Sequence, residues 1–119
     1  MSENLKRGDF LVFQLEAGFA LLRLLEIEEH DGNKTWHVAA YSDLFPDVDN
    51  AEVAASDPEK LTFSSPHIAL TNRAFESTQV ARIANAPLTA AESEPLDHWR
   101  NDSNGEVSDR SVRLMLGLR

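Results

Sequence analysis

The chain has 119 residues, no cysteine and a formal charge of −9 from 11 basic and 20 acidic side chains. That length suits one domain, residues 1–119, with a single core and little room for a large internal cavity. Without cysteine there are no disulfides, thiolate nucleophiles, iron–sulfur clusters or cysteine-held zinc, and the acid excess disfavours binding to DNA or RNA phosphates. The charge is uneven. Residues 1–60 hold five Lys/Arg against thirteen Asp/Glu, whereas residues 61–119 hold six against seven. The start carries no signal-peptide apolar run, and the longest apolar stretch, Phe19 to Ile27, is broken by Arg23 and Glu26. A cytoplasmic protein with no membrane association is the expectation.

In chain order, Gly8-Asp9 signals a turn, and Phe10 to Leu15 is rich in β-favouring residues. Glu16-Ala17-Gly18 is a short connection of the hairpin kind. Phe19 to Glu29 reads as a second strand, although Phe19 to Glu26 is also good helix material by propensity. The turn His30-Asp31-Gly32-Asn33 and a clear third strand, Lys34 to Tyr41, favour the strand. Apolar residues on both of its faces fit a sheet curled into a small barrel.

Residues 42–60 read as a long loop with two prolines, six acids and a helical turn near Asn50 to Ala55. Thr62-Phe63 and His67 to Leu70 suit two short strands, with Pro66 limiting the pairing between them. Asn72 to Ser77 reads as a turn and Gln79 to Ile83 as a last strand. Thr89-Ala90-Ala91-Glu92 matches a helix capping box, and Pro95 is expected to keep that helix short. Ser108 or Asp109 is expected to cap a final helical segment through Leu116. The fold class is therefore mainly β, or α+β: a small bent antiparallel sheet or SH3-like barrel with one or two short helices.

Chemistry is sparse. His30, His37, His67 and His98 show no metal-ligand spacing and read as surface or packing histidines. Asp47-Val48-Asp49-Asn50-Ala51-Glu52 resembles the start of a calcium loop but has Glu52 where glycine is required and Pro58 in place of the bidentate glutamate. Ser64-Ser65-Pro66-His67 is not a nucleophile elbow, and Glu28/Glu29 or Asp47/Asp49 have polar neighbours that suggest no burial. No catalytic residue, metal site or cofactor is assigned, and the chain is not expected to be an enzyme. What stands out is the nearness of Trp36, Tyr41 and Phe45 to Asp43, Asp47, Asp49 and Glu52. Aromatic anchors ringed by charge concentrate energy at protein interfaces. The alternative is that Trp36 and Phe45 are core and the acids a solvated rim. Trp99 could likewise close the barrel mouth, where a small molecule or peptide would bind.

Lys6-Arg7-Gly8-Asp9-Phe10-Leu11-Val12-Phe13-Gln14-Leu15 followed by Gly18-Phe19-Ala20 resembles the first hairpin of small β-barrel immunity proteins of bacterial polymorphic-toxin systems. Ile68-Ala69-Leu70-Thr71-Asn72 and the stretch Val80 to Leu88, ending Asn85-Ala86-Pro87-Leu88, are similar to that family's closing strand and exit. The acidic loop from Asp43 to Lys60 and the tail after Leu96 lie outside the resemblance. It implies a non-catalytic protein whose partner is a cognate, basic toxin domain, bound and blocked.

Overall fold

The structure is a computed structural model that describes residues 5–102 and 105–109. Five strands, β1 (Asp9–Leu15), β2 (Gly18–His30), β3 (Asn33–Phe45), β4 (Phe63–Thr71) and β5 (Ala81–Asn85), form one antiparallel sheet in the order β4-β3-β2-β1-β5. Three helices, α1 (Val48–Ala55), α2 (Asn72–Glu76) and α3 (Ala90–Arg100), interrupt it, and a 3-10 turn spans Pro58–Lys60. The chain is thus mainly β, with an open bent sheet.

The β2–β3 hairpin turns through Asp31 (φ 53°) and Gly32 (φ 81°), the left-handed pair that matches the twist of long strands. From that turn the register runs regularly through Glu28↔Thr35 to Glu26↔His37, then shifts between Glu26 and Leu24 and again between Leu22 and Ala20. The first shift leaves Leu24 and Leu25 both fully buried, on opposite faces of the sheet. This accounts for the run from Phe19 to Leu25, apolar but for Arg23: β2 is central and covered on both sides, so strict alternation has no cause.

On one face Leu11, Phe13, Leu22, Leu24, Val38 and Leu70 form the main core with Ala74 and Phe75 of α2. Trp36 lies flat on Phe75, ring centroids 3.9 Å apart, and its indole N–H donates to Asn72 Oδ1 at 2.8 Å. The other face is roofed in two places. Ala55 of α1 packs over Phe10, Leu21 and Tyr41, and Leu96 of α3 over Leu25 and Ala39.

Between those two roofs sits Arg23, its side chain 1% exposed. Its Nε donates to Gly8 O at 3.1 Å, Nη2 to Ala86 O at 2.8 Å and Pro87 O at 3.2 Å, and Nη1 to Glu92 Oε2 at 2.8 Å. The guanidinium also lies 4.0 Å from the Phe10 ring centroid. All three nitrogens of the fork are thereby hydrogen-bonded, which is the condition for burying it. Gly8 makes this possible. Its φ is +91°, and a Cβ there would stand 2.4 Å from Ala86 O.

Several elements differ from expectation for local reasons. The 42–60 loop holds a full helix, because Asp47 caps it by accepting from Asn50 N at 2.8 Å and Ala51 and Ala55 seat it closely on the sheet. β4 is continuous through Pro66, since it is an edge strand whose register shifts there against β3. Asn72 to Glu76 is helical, capped by the Thr71 hydroxyl accepting from Ala74 N at 3.1 Å. β5 begins at Ala81 rather than Gln79, which turns the chain with φ 57°. The Thr89/Glu92 capping box forms, and α3 continues past Pro95 because contacts beyond the proline, notably buried Leu96, outweigh one lost backbone bond. Ser108 pairs with β4, its N–H donating to Ala69 O at 2.8 Å. The expected continuation to Leu116 lies outside the described residues.

Arg23→Ala leaves Glu92 Oε2 and the carbonyls of Ala86 and Pro87 without the guanidinium, and Gly8 O with Ala86 N–H alone, so it should lower the unfolding free energy by about 3–5 kcal/mol, read as a lower urea midpoint at an unchanged slope.

Candidate functional site

Two regions bring polar chemistry together. The first is the segment 43–63. Helix α1 buries Ala51 and Ala55 and turns Asp49, Glu52 and Val53 outward, with Val53 70% exposed. Among the described residues the exposed large apolar side chains are Leu44, Val48, Val53, Phe63 and Val107, and four of these five fall in this segment. Asp43, Asp47, Asp49, Glu52, Asp57 and Glu59 share it with one cation, Lys60, which lies 3.5 Å from Asp57.

The structure divides the expected contact residues. Trp36 (8% exposed) and Tyr41 (2%) are core side chains on opposite faces of the sheet, so neither is available to a partner. Phe45 is half-buried against the same cluster as Tyr41. Asp43 accepts from Thr62 N at 2.9 Å and Asp47 caps α1, so both carboxylates also shape the backbone. Asp49 and Glu52 are exposed on α1. The aromatic that reaches the surface here is Phe63, stacked on Tyr41 with centroids 5.0 Å apart and 41% exposed.

The second region was not expected. Glu28 of β2, His37 of β3 and His67 of β4 form a line of hydrogen bonds across three strands, under the end of α3. Glu28 Oε1 lies 2.8 Å from His37 Nε2, and His37 Nδ1 lies 2.9 Å from His67 Nε2. Arg100 donates to the other Glu28 oxygen, with Nε at 3.0 Å and Nη2 at 2.8 Å. The Trp99 indole meets His37 edge-on at 4.8 Å and His67 at 5.8 Å between centroids. His37 is fully buried and His67 half-buried. Next to them a cleft of about 490 Å³ opens between His67, Trp99, Asp102 and the 105–108 segment.

The electrostatics assign the protons. Burial pushes both histidines below the usual 6.5, overriding Glu28's pull on His37 and taking His67 to about 4. Burial also pushes Glu28 upward, but hydrogen bonds from His37 and Arg100 and their charges win, and its pKa lies below the usual carboxylate value. At neutral pH the line therefore consists of one carboxylate and two neutral rings. A carboxylate only accepts, so His37 must carry its hydrogen on Nε2. Its Nδ1 is then an acceptor, and His67 must donate from Nε2, which leaves the His67 Nδ1 lone pair open.

His37 and His67 are thus packing side chains that the sheet register brings against each other, and Glu28 is partly buried beside them. His30 and His98 stand apart from the pair: His30 is exposed beside Asp31, and His98 is exposed on α3. Among the described residues no group of three or more His, Asp or Glu side chains could hold a metal ion, and no helix is long and apolar enough to cross a membrane.

Comparison with protein-family models, with curated proteins and with solved structures finds no match.

At pH 8, long-range proton–nitrogen correlation spectra should show hydrogen on Nε2 and a bare Nδ1 in both His37 and His67. A His67 ring protonated on Nδ1 would break the derived chain of donors.

Proposed function

We propose that this chain is a non-catalytic protein-binding domain whose 43–63 surface takes a basic protein partner, and that its role is that of an immunity protein against a bacterial toxin domain. One observation carries the reading: most of the exposed large apolar side chains sit in the same segment as six carboxylates and a single lysine. A surface of this kind attracts a cationic partner over a distance and then offers it groups that gain by losing water. Asp49, Glu52 and Val53 share the outward side of α1 and form the centre of the contact. Asp43, Asp47, Leu44, Val48 and Phe63 flank it, and buried Tyr41 and half-buried Phe45 support it from beneath. The hairpin resemblance adds the toxin to this picture, and the charge sign suits a nuclease or other basic effector.

The 490 Å³ cleft beside Trp99 favours a second reading, a small-molecule or peptide-binding accessory domain. A thermal-shift screen separates the two, because only the second expects stabilisation by a small ligand.

The test of the main reading co-expresses the chain with the toxin-like product of an adjacent gene and scores growth. Wild type should restore growth, whereas the exposed triple variant D49K/V53D/E52K should fail to, with its melting temperature unchanged. With purified proteins the variant should bind at least about tenfold more weakly, a loss of about 1.4 kcal/mol. Undiminished protection by the variant, or a neighbour without toxicity, would overturn the reading.

A further inference from the structure

The partner surface does not use the Glu28–His37–His67 line, whose position points to a different task. Helix α3 is fastened to β2 at both ends. Its first turn is tied by Arg23 to Glu92, and its last turn by Arg100 to Glu28, with Arg100 also 3.7 Å from Glu26. Trp99, one residue before Arg100, covers the two imidazoles and holds the 105–109 segment. Its indole N–H donates to Glu106 O at 3.0 Å, and a Cβ on Gly105 would stand 3.0 Å from the ring. That segment then runs along the β4 edge, where Thr71 N donates to Ser108 O at 2.9 Å and the Thr71 hydroxyl to Asp109 at 2.6 Å. The end of α3 and the strap after it therefore depend on what lies under Trp99.

We propose that the Glu28–His37–His67 line is an acid-operated latch: proton uptake by the imidazole pair undocks the last turns of α3 and the 105–109 strap while the sheet stays folded.

The hydrogen-bond directions give the reason. The neutral line accepts its first proton at His67 Nδ1, for which no bond partner occurs among the described residues. The resulting imidazolium and Arg100 then draw on one carboxylate, Glu28. A second proton places a hydrogen on both facing nitrogens, and the 2.9 Å bond between the rings becomes a repulsion. Both steps put charge where water is excluded, and lifting Trp99 and Arg100 readmits it.

The charged groups around the pair act in both directions. Glu28 and Glu26 of β2 favour the cation, as do Asp102 and Glu106 across the cleft and Asp97 on α3. Against it stand Arg100, which also approaches Asp97 at 3.9 Å, and Arg7, which approaches Glu26 at 3.3 Å. His98 on α3 faces solvent. Desolvation outweighs the favourable charges, since both rings lie below their usual value. The sign follows. A histidine whose folded pKa is depressed contributes full stability above about 6.5 and loses it as pH falls toward the folded value, about 4 for His67. At the other end of the helix the tie from Arg23 to Glu92 contains no histidine, so the first turn stays in place.

The test labels the full chain with 5-fluorotryptophan, which reports Trp36 in the core and Trp99 on the latch as two fluorine resonances, assigned with Trp99→Phe. Between pH 8 and 4 the Trp99 resonance should move to its solvent-exposed position with a midpoint between 4 and 6.5, while Trp36 stays in place. Arg100→Gln weakens the docked state and should move the midpoint upward. His67→Gln removes the first proton acceptor and should push the transition down into the carboxylate range. Trp36 and Trp99 moving together would show general unfolding and overturn the latch, as would an unchanged midpoint in either variant.

Discussion

The buried guanidinium of Arg23 is the constraint around which the rest of the molecule is arranged. A cation cannot be left without partners inside a sheet that is apolar on both faces, so three otherwise separate pieces of chain must converge on it. These are the Gly8 turn before β1, the Ala86-Pro87 exit of β5 and the Glu92 side chain of α3. Glu92 is shared: its other oxygen accepts from Thr89 N at 2.8 Å and completes the capping box. One residue of β2 thus places the start of α3 and closes the edge formed by β5.

A second charged residue of β2, Glu28, does the converse at the helix's far end. Arg100 brings a positive charge to the C-terminal turn and Glu92 a negative one to the N-terminal turn, the polarity that the helix dipole favours. With Leu96 seated between these two ties, the helix tolerates Pro95. The two ties differ in one respect. Arg23 keeps its charge at any ordinary pH, whereas Glu28 is coupled to two rings that can titrate, so only one end of α3 can respond to acid.

Much of the fold was legible because the signals were local. The Asp31-Gly32 turn sets the register of the long hairpin, and the regular part of that register already pairs Glu26 with His37 and places Glu28 diagonally across from it. An acid–histidine contact could have been read from the turn alone. His67 could not, since its diagonal place beside His37 follows from the His37↔Ala69 pairing of β4, a strand joined to β3 by the long 46–62 segment and not by a tight turn that would set the register. The contact surface was half legible for a related reason. The acids were visible as composition, but which aromatics are buried depends on strand parity and on what covers each face. Trp36 and Tyr41 sit an odd number of residues apart on β3 and so point to opposite sides.

The acidic surface and the buried line are also different kinds of electrostatics, which keeps their roles apart. Asp49 and Glu52 are exposed, and their field falls off within a Debye length, about 8 Å in physiological salt. On the proposed reading, ionic strength would govern how fast a basic partner arrives. In the Glu28–His37–His67 line His37 is buried between Trp99 and the sheet, while Glu28 and His67 are half-buried on either side of it. On the two proposals above, added salt would slow association, whereas acid would act on the docking of α3. A molecule of this size can hold both devices because β2 and β3, each 13 residues long, run from one to the other: the acidic helix follows one end of the hairpin, and the histidine line crosses the other.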